Sequence, residues 1–177
     1  MLNKVWQPLF FIVIATASAI WQWSFIYALT DLFGQFNLVL IVLMFTLFFF
    51  DFSSAVLVAI MSGFWLDILG FNFFGFYLIV LFVTSIFSEW LLANWLTNRS
   101  LYSFIVLIII STLVYNLLVY GLQSFSSTEI SGIVIFKKHF WISLGYQVAW
   151  SILAALFLFN FASSATRRLK PFFLSDK

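Results

Sequence analysis

The chain has 177 residues, of which 64% are hydrophobic and only 8% charged, with a net charge of +2 and no cysteine. Ordinary soluble domains carry roughly a quarter charged residues, so a water-soluble globule is excluded. The lack of cysteine excludes disulfides, thiol nucleophiles and cysteine metal ligands. Apolar sequence continues almost without break from Val5 to Phe161, which makes lipid the expected solvent.

Inside lipid every backbone amide must be satisfied within the structure, leaving a helix bundle or a closed barrel. Runs such as "VLFVTSIFSEWLLANWL" lack the two-residue alternation of a barrel strand. The fold class read from the sequence is therefore an all-α integral membrane protein. It is a bundle of about six transmembrane helices forming a single polytopic domain over residues 1–177.

The first span, residues 5–28, is longer than the roughly 7 to 15 residues of a signal-peptide core and is expected to be retained. Its small and polar stripe is Ala15, Ser18, Ala19 and Gln22. The second span, 36–50, is shorter than the roughly 20 residues a perpendicular helix needs. It is expected to tilt, thin the bilayer or be partly re-entrant. Only "DFSS" separates it from the third span, 53–70.

At about 100° per residue, Val56, Ala59, Gly63, Asp67 and Gly70 form one stripe of the third span, with Leu57, Met61, Trp65 and Ile68 opposite. Small residues let helices approach closely in a membrane, so the stripe should face protein. Asp67 lies on it. An intramembrane carboxylate costs about 2.5 to 3.5 kcal/mol on insertion scales and calls for a partner or a task. Near the C-terminal end of its own helix, Asp67 also meets the negative end of the macrodipole. The turn "GFNFFG" then delivers the amides that open the fourth span, the positive end of a helix. Asp67 is expected to lock this turn by accepting hydrogen bonds from those amides or from Asn72. A partner contact, or proton or cation handling, are its other readings.

The fourth span, 74–97, presents Gly75, Phe82, Glu89 and Ala93 on one face. Glu89 is expected to snorkel toward Arg99 or the cytoplasmic interface. Asp31 and Asp51 fall at span ends, where water reaches them. The fifth span, 101–123, offers Thr112, Asn116, Val119 and Gln123; the sixth, 139–162, offers Ser143, Gln147, Ser151 and Ala154. Between them the loop "SFSSTEISGIVIFKK" is the longest external segment, its middle "GIVIF" expected along the membrane surface. After the last span, "TRRLKPFFLSDK" places Arg167, Arg168 and Lys170 as a topological anchor against anionic lipid.

With six spans both termini share a side. Lys4, Arg99, Arg167, Arg168, Lys170 and Lys177 lie on that side and Lys137 and Lys138 on the other. The bias of basic residues toward the cytoplasm then makes both termini cytoplasmic.

His139 is the only histidine and the acids are scattered over different spans, so no metal constellation assembles. His139 follows two lysines at the mouth of the sixth span, where it is expected to anchor at the interface. No phosphate loop, dinucleotide fingerprint or nucleic-acid module is present. No catalytic, cofactor-binding or metal residue is assigned, and the chain is not expected to be an enzyme.

The run "GFWLDILGFNFFGFYLIVLFV" and the short spans around it resemble the MreD family of rod shape-determining membrane proteins. Gly63, Asp67, Gly70, Gly75, Phe76 and Tyr77 occupy that family's pattern. "DFSS" departs from it, since the family often carries a basic residue there. The resemblance implies a non-catalytic subunit of the bacterial cell-wall elongation machinery in the inner membrane, without cofactor. Its partners would be an MreC-like protein and, through it, MreB, the glycosyltransferase RodA and a class B penicillin-binding transpeptidase. Gly63, Asp67, Gly70, Gly75 and Glu89 would be structural or partner-facing.

The alternative is the substrate-binding membrane subunit of an energy-coupling-factor vitamin transporter, whose six-span fold is similar and whose first span uses small residues such as Ala15 and Ala19 on its coupling partner. That reading requires an external pocket rich in polar groups, which neither "GFNFFG" nor the serine loop obviously supplies. A third, a small ion or proton carrier using Asp67 and Glu89, lacks broken helices and a second acid at the same depth.

Overall fold

The computed structural model describes residues 3–26, 36–70, 73–96, 100–126 and 138–169. All regular structure among them is helical: α1 (Asn3–Trp21) runs into a π-helical turn (Gln22–Ile26), followed by α2 (Leu38–Phe49), α3 (Phe52–Leu69), α4 (Phe76–Asn94), α5 (Leu101–Ser126) and α6 (Lys138–Leu169). Four stretches, Phe52–Leu69, Phe76–Asn94, Leu101–Gln123 and Trp141–Leu158, are long and apolar enough to cross a membrane. The apolar stretches Pro8–Ser24 and Leu38–Phe49 are shorter.

The predicted spans and the helices agree to within about three residues at every end but the last. α6 continues to Leu169, seven residues past the predicted end of the last span, so its backbone carries Arg167 and Arg168 as part of the helix. The segments holding Asp31, Asn72, Arg99, "GIVIF" and Lys170 lie outside the described residues, as do the expectations that fall on them.

α2 occupies the middle of the bundle. Twelve residues at 1.5 Å rise make a rod of about 18 Å, yet eight of the twelve are buried, including Val39, Leu40, Leu43, Met44 and Leu47. A helix apolar on every side belongs inside a core rather than on its surface. α2 accordingly packs against α1, α3, α4, α5 and α6. Its foot is closed by rings: Phe48 and Phe104 lie with centroids 4.9 Å apart, and Phe45 and Phe49 flank Phe104 at 6.4 and 5.9 Å.

The phase of α3 differs from the sequence reading by part of a turn. Ala59, Gly63 and Asp67 are buried as expected, but Leu57, Met61 and Trp65 pack against the core as well. Ile68 faces outward as expected, and Ile60 and Phe64 share that face with it. On α4 the expected stripe is overturned: Phe82 and Ala93 are exposed and Glu89 is half-buried. The inward face carries Val80, Leu81, Thr84, Ser85, Ser88 and Leu91.

The reason is chemical. Thr84 and Ser88 return their hydroxyls to the carbonyls of Val80 and Thr84, each at 2.7 Å, so they behave as small packing residues with no unsatisfied proton. Ser88 also meets Ser111 of α5 at 2.7 Å, the helices being close enough there for hydroxyl to touch hydroxyl.

Candidate functional site

Two polar constructions sit at the end of the bundle where α4 begins. The first is built on Asp67, 5% exposed in the last turn of α3. Its Oδ1 accepts from the Tyr77 amide at 2.7 Å, and its Oδ2 accepts from the Gly75 and Leu78 amides at 3.1 and 3.2 Å. The first amides of a helix have no partner within it and are usually met by an N-cap side chain. Here the N-cap is Gly75, which has none to offer. Asp67, eight residues upstream, does the work of that missing cap. The accounting closes, because the Phe76 amide donates to Phe73 O at 3.2 Å and Ile79 begins the helical ladder on Gly75 O at 3.0 Å.

The glycines make this approach sterically open. A Cβ on Gly63 would stand 2.6 Å from Leu78 Cα, so α3 and α4 touch backbone to backbone one turn before Asp67. Gly75 has φ +96°, the left-handed conformation that side-chain-bearing residues rarely adopt, and nothing lies within 4 Å of its would-be Cβ. Its requirement is conformational, whereas that of Gly63 is spatial. Gly70 ends α3 and packs beside the Tyr77 ring, 3.3 Å from its would-be Cβ.

Of the positions singled out from the sequence, Gly63, Asp67, Gly70 and Gly75 therefore converge on one helix–turn–helix unit. Glu89 does not join them: twelve residues beyond Tyr77 on α4, it lies about 18 Å further along the axis.

The second construction is a cavity of about 200 Å³. Gln22 and Asn37 border it from the start of the π-helical turn and the start of α2; Tyr77 reaches it from the first turn of α4. α5 contributes Tyr115, Asn116 and Tyr120, and α6 contributes Ser143 and Gln147. Its hydrogen bonds fix the side-chain amides. Gln22 Oε1 accepts from the Val39 amide at 2.8 Å and Asn37 Oδ1 from the Leu40 amide at 3.0 Å, so α2 is capped both by its own N-cap residue and by the preceding helical turn. Asn116 Nδ2 donates to Thr112 O at 2.7 Å and to Gln147 Oε1 at 2.8 Å. No charged side chain lines the cavity among the described residues.

Asn116 and Gln147 were legible from the sequence as separate stripe positions, and their pairing across α5 and α6 was not. Asn37 escaped notice altogether, although Asn immediately before an apolar run is an N-cap signal. The polar groups of the cavity come from helices and the N-cap of α2, not from the "GFNFFG" turn or the serine loop, the two segments weighed for such a pocket in the sequence. No metal cluster forms among the described residues. No family profile, curated protein or solved structure matches the chain.

Proposed function

We propose that the protein is an integral protein of the bacterial inner membrane with both termini in the cytoplasm, serving as a non-catalytic subunit of the cell-wall elongation machinery, as its resemblance to the MreD family implies. The observation that carries this reading is the unit just described. Five of the six residues that carry the resemblance, Gly63, Asp67, Gly70, Gly75 and Tyr77, form one contiguous joint between α3 and α4, and the sixth, Phe76, is the first residue of α4. The five are used in positioning helices, which is what a scaffold requires of its most distinctive sequence. The expected partner is an MreC-like protein, linking the chain to MreB, RodA and a class B transpeptidase.

Affinity purification of the full chain from its native membrane in mild detergent tests this. An MreC-like protein is expected to be retained, and depletion of the chain is expected to round the cells. Normal rods after depletion, with no component of the wall machinery retained, overturn the reading.

The cavity is a specific observation in favour of a second reading, the substrate-binding membrane subunit of an energy-coupling-factor transporter, which needs polar groups gathered at one end of the bundle. Retention of a cytoplasmic ATPase module in the same purification, in place of an MreC-like protein, selects it.

A further inference from the structure

We infer that the interface of α5 and α6 binds an ordered water between Ser151 and Thr112, one helical turn inward of the cavity. The site rests on neither functional reading, since it follows from how these two helices pack.

A single hydroxyl points to it. Ser151 is 0% exposed, and its Oγ is the one buried side-chain oxygen or nitrogen left without a hydrogen-bond partner among the described residues. Buried serines and threonines elsewhere in the bundle behave differently: Thr46, Thr84, Ser88 and Thr112 each donate to the carbonyl four residues back, at 2.7 to 2.9 Å. That bond is open to any helical serine. Ser151 does not make it, so its Oγ is turned off its own backbone and into the packed interface.

The Asn116–Gln147 bond fixes the level of this hydroxyl. The C-terminal half of α5 and the N-terminal part of α6 both line the cavity, so the two helices run in opposite directions. Thr112 precedes Asn116 by four residues and Ser151 follows Gln147 by four, which sets both about 6 Å further into the bundle. Thr112 is also 0% exposed. Its proton is spent on Ile108 O, and its Oγ1 keeps the capacity to accept. Ser151 has a proton to give.

A water between the two accepts from Ser151 and donates to Thr112. Its second proton is left for the cavity one turn outward, where Ser143 and Gln147 of the same α6 face form part of the wall. Buried waters characteristically meet polar groups that the chain itself leaves unsatisfied. The polar wall of the cavity thereby continues one turn deeper between α5 and α6. Beyond it Ile108 and Ala155, four residues further in on each helix and both buried, close the track with apolar side chains.

Water-edited solid-state NMR of the full chain in lipid vesicles tests the site. Polarisation from water protons is expected to reach Ser151 and Thr112 faster than Ile108 and Ala155, and to be lost at Thr112 in Ser151→Ala. Reversible unfolding in micelles supplies a second readout, with Ser18→Ala as the reference, because Ser18 is a buried serine that bonds its own helix at Ala15 O and carries the same change in helix propensity. The folding equilibrium constant of Ser151→Ala is expected to fall about fivefold below that of the reference, the loss of one hydrogen bond to water. A hydroxyl with no water gives the opposite sign, since alanine then relieves a buried unmet group. Build-up at Ser151 no faster than at Ala155, or a Ser151→Ala folding constant equal to or above that of Ser18→Ala, overturns the site.

Discussion

Asp67 stands where two helix termini of opposite polarity meet. Its own helix presents carbonyls that repel an anion, and the next helix presents amides that attract one. Hydrogen bonds from Gly75, Tyr77 and Leu78 decide the matter in favour of the second. Asp67→Leu removes every acceptor and strands those amides, so a loss of about 3 kcal/mol is expected in reversible unfolding in detergent micelles. Asp67→Asn keeps one oxygen and is expected to lose less than half as much. Equal, wild-type stability and accumulation for both variants sinks the idea of a lock. The two glycines fail differently. Gly63→Ala drives a methyl into Leu78 Cα and should cost about 1–3 kcal/mol through separation of α3 from α4. Gly75→Ala meets no neighbour and should cost only the left-handed backbone penalty of about 1–2 kcal/mol.

At the scale of elements, α2 is the helix that depends most on others. Too short to span by itself and with its first amides buried, it draws one cap from its own Asn37 and another from Gln22 of the preceding element. Gln22→Leu preserves bulk and removes the cap on Val39, so unfolding is expected to cost about 1 kcal/mol less, with amide exchange fastest at the start of α2. If exchange there stays at the wild-type rate, Gln22 is not a cap. α4 solves the same problem in the same direction, borrowing its cap from Asp67 of the element before it. In both cases the donor helix is tied to the recipient at one end of the bundle, the end that holds the cavity. Tyr77 belongs to both constructions, since its amide is held by Asp67 and its side chain borders the cavity.

For the molecule as a whole, the orientation read from basic residues has a direct measurement, because the chain contains no cysteine. A single Ser127→Cys is expected to react with a membrane-impermeant maleimide added outside intact spheroplasts. Ser175→Cys is expected to react only after the membrane is opened. The reverse pattern inverts the topology, and reaction of both from outside rejects a crossing by α6. The reverse pattern also moves the cavity, which the expected topology places at the external face.

Helix and approximate span were legible because they depend on local composition: long unbroken apolar runs read as helices, and the polar and glycine-rich segments "DFSS" and "GFNFFG" mark where some of them stop. The Asp67 joint was legible for the same reason, since its partners lie within eleven residues and the helix dipole gives the direction of attraction. The inward face of α4, the central burial of α2 and the meeting of Asn116 with Gln147 were decided only by the tertiary structure. In lipid a side chain's polarity does not say which way it faces when a serine can satisfy itself on its own helix. Contacts between residues 31 positions apart depend on how six helices share one interior.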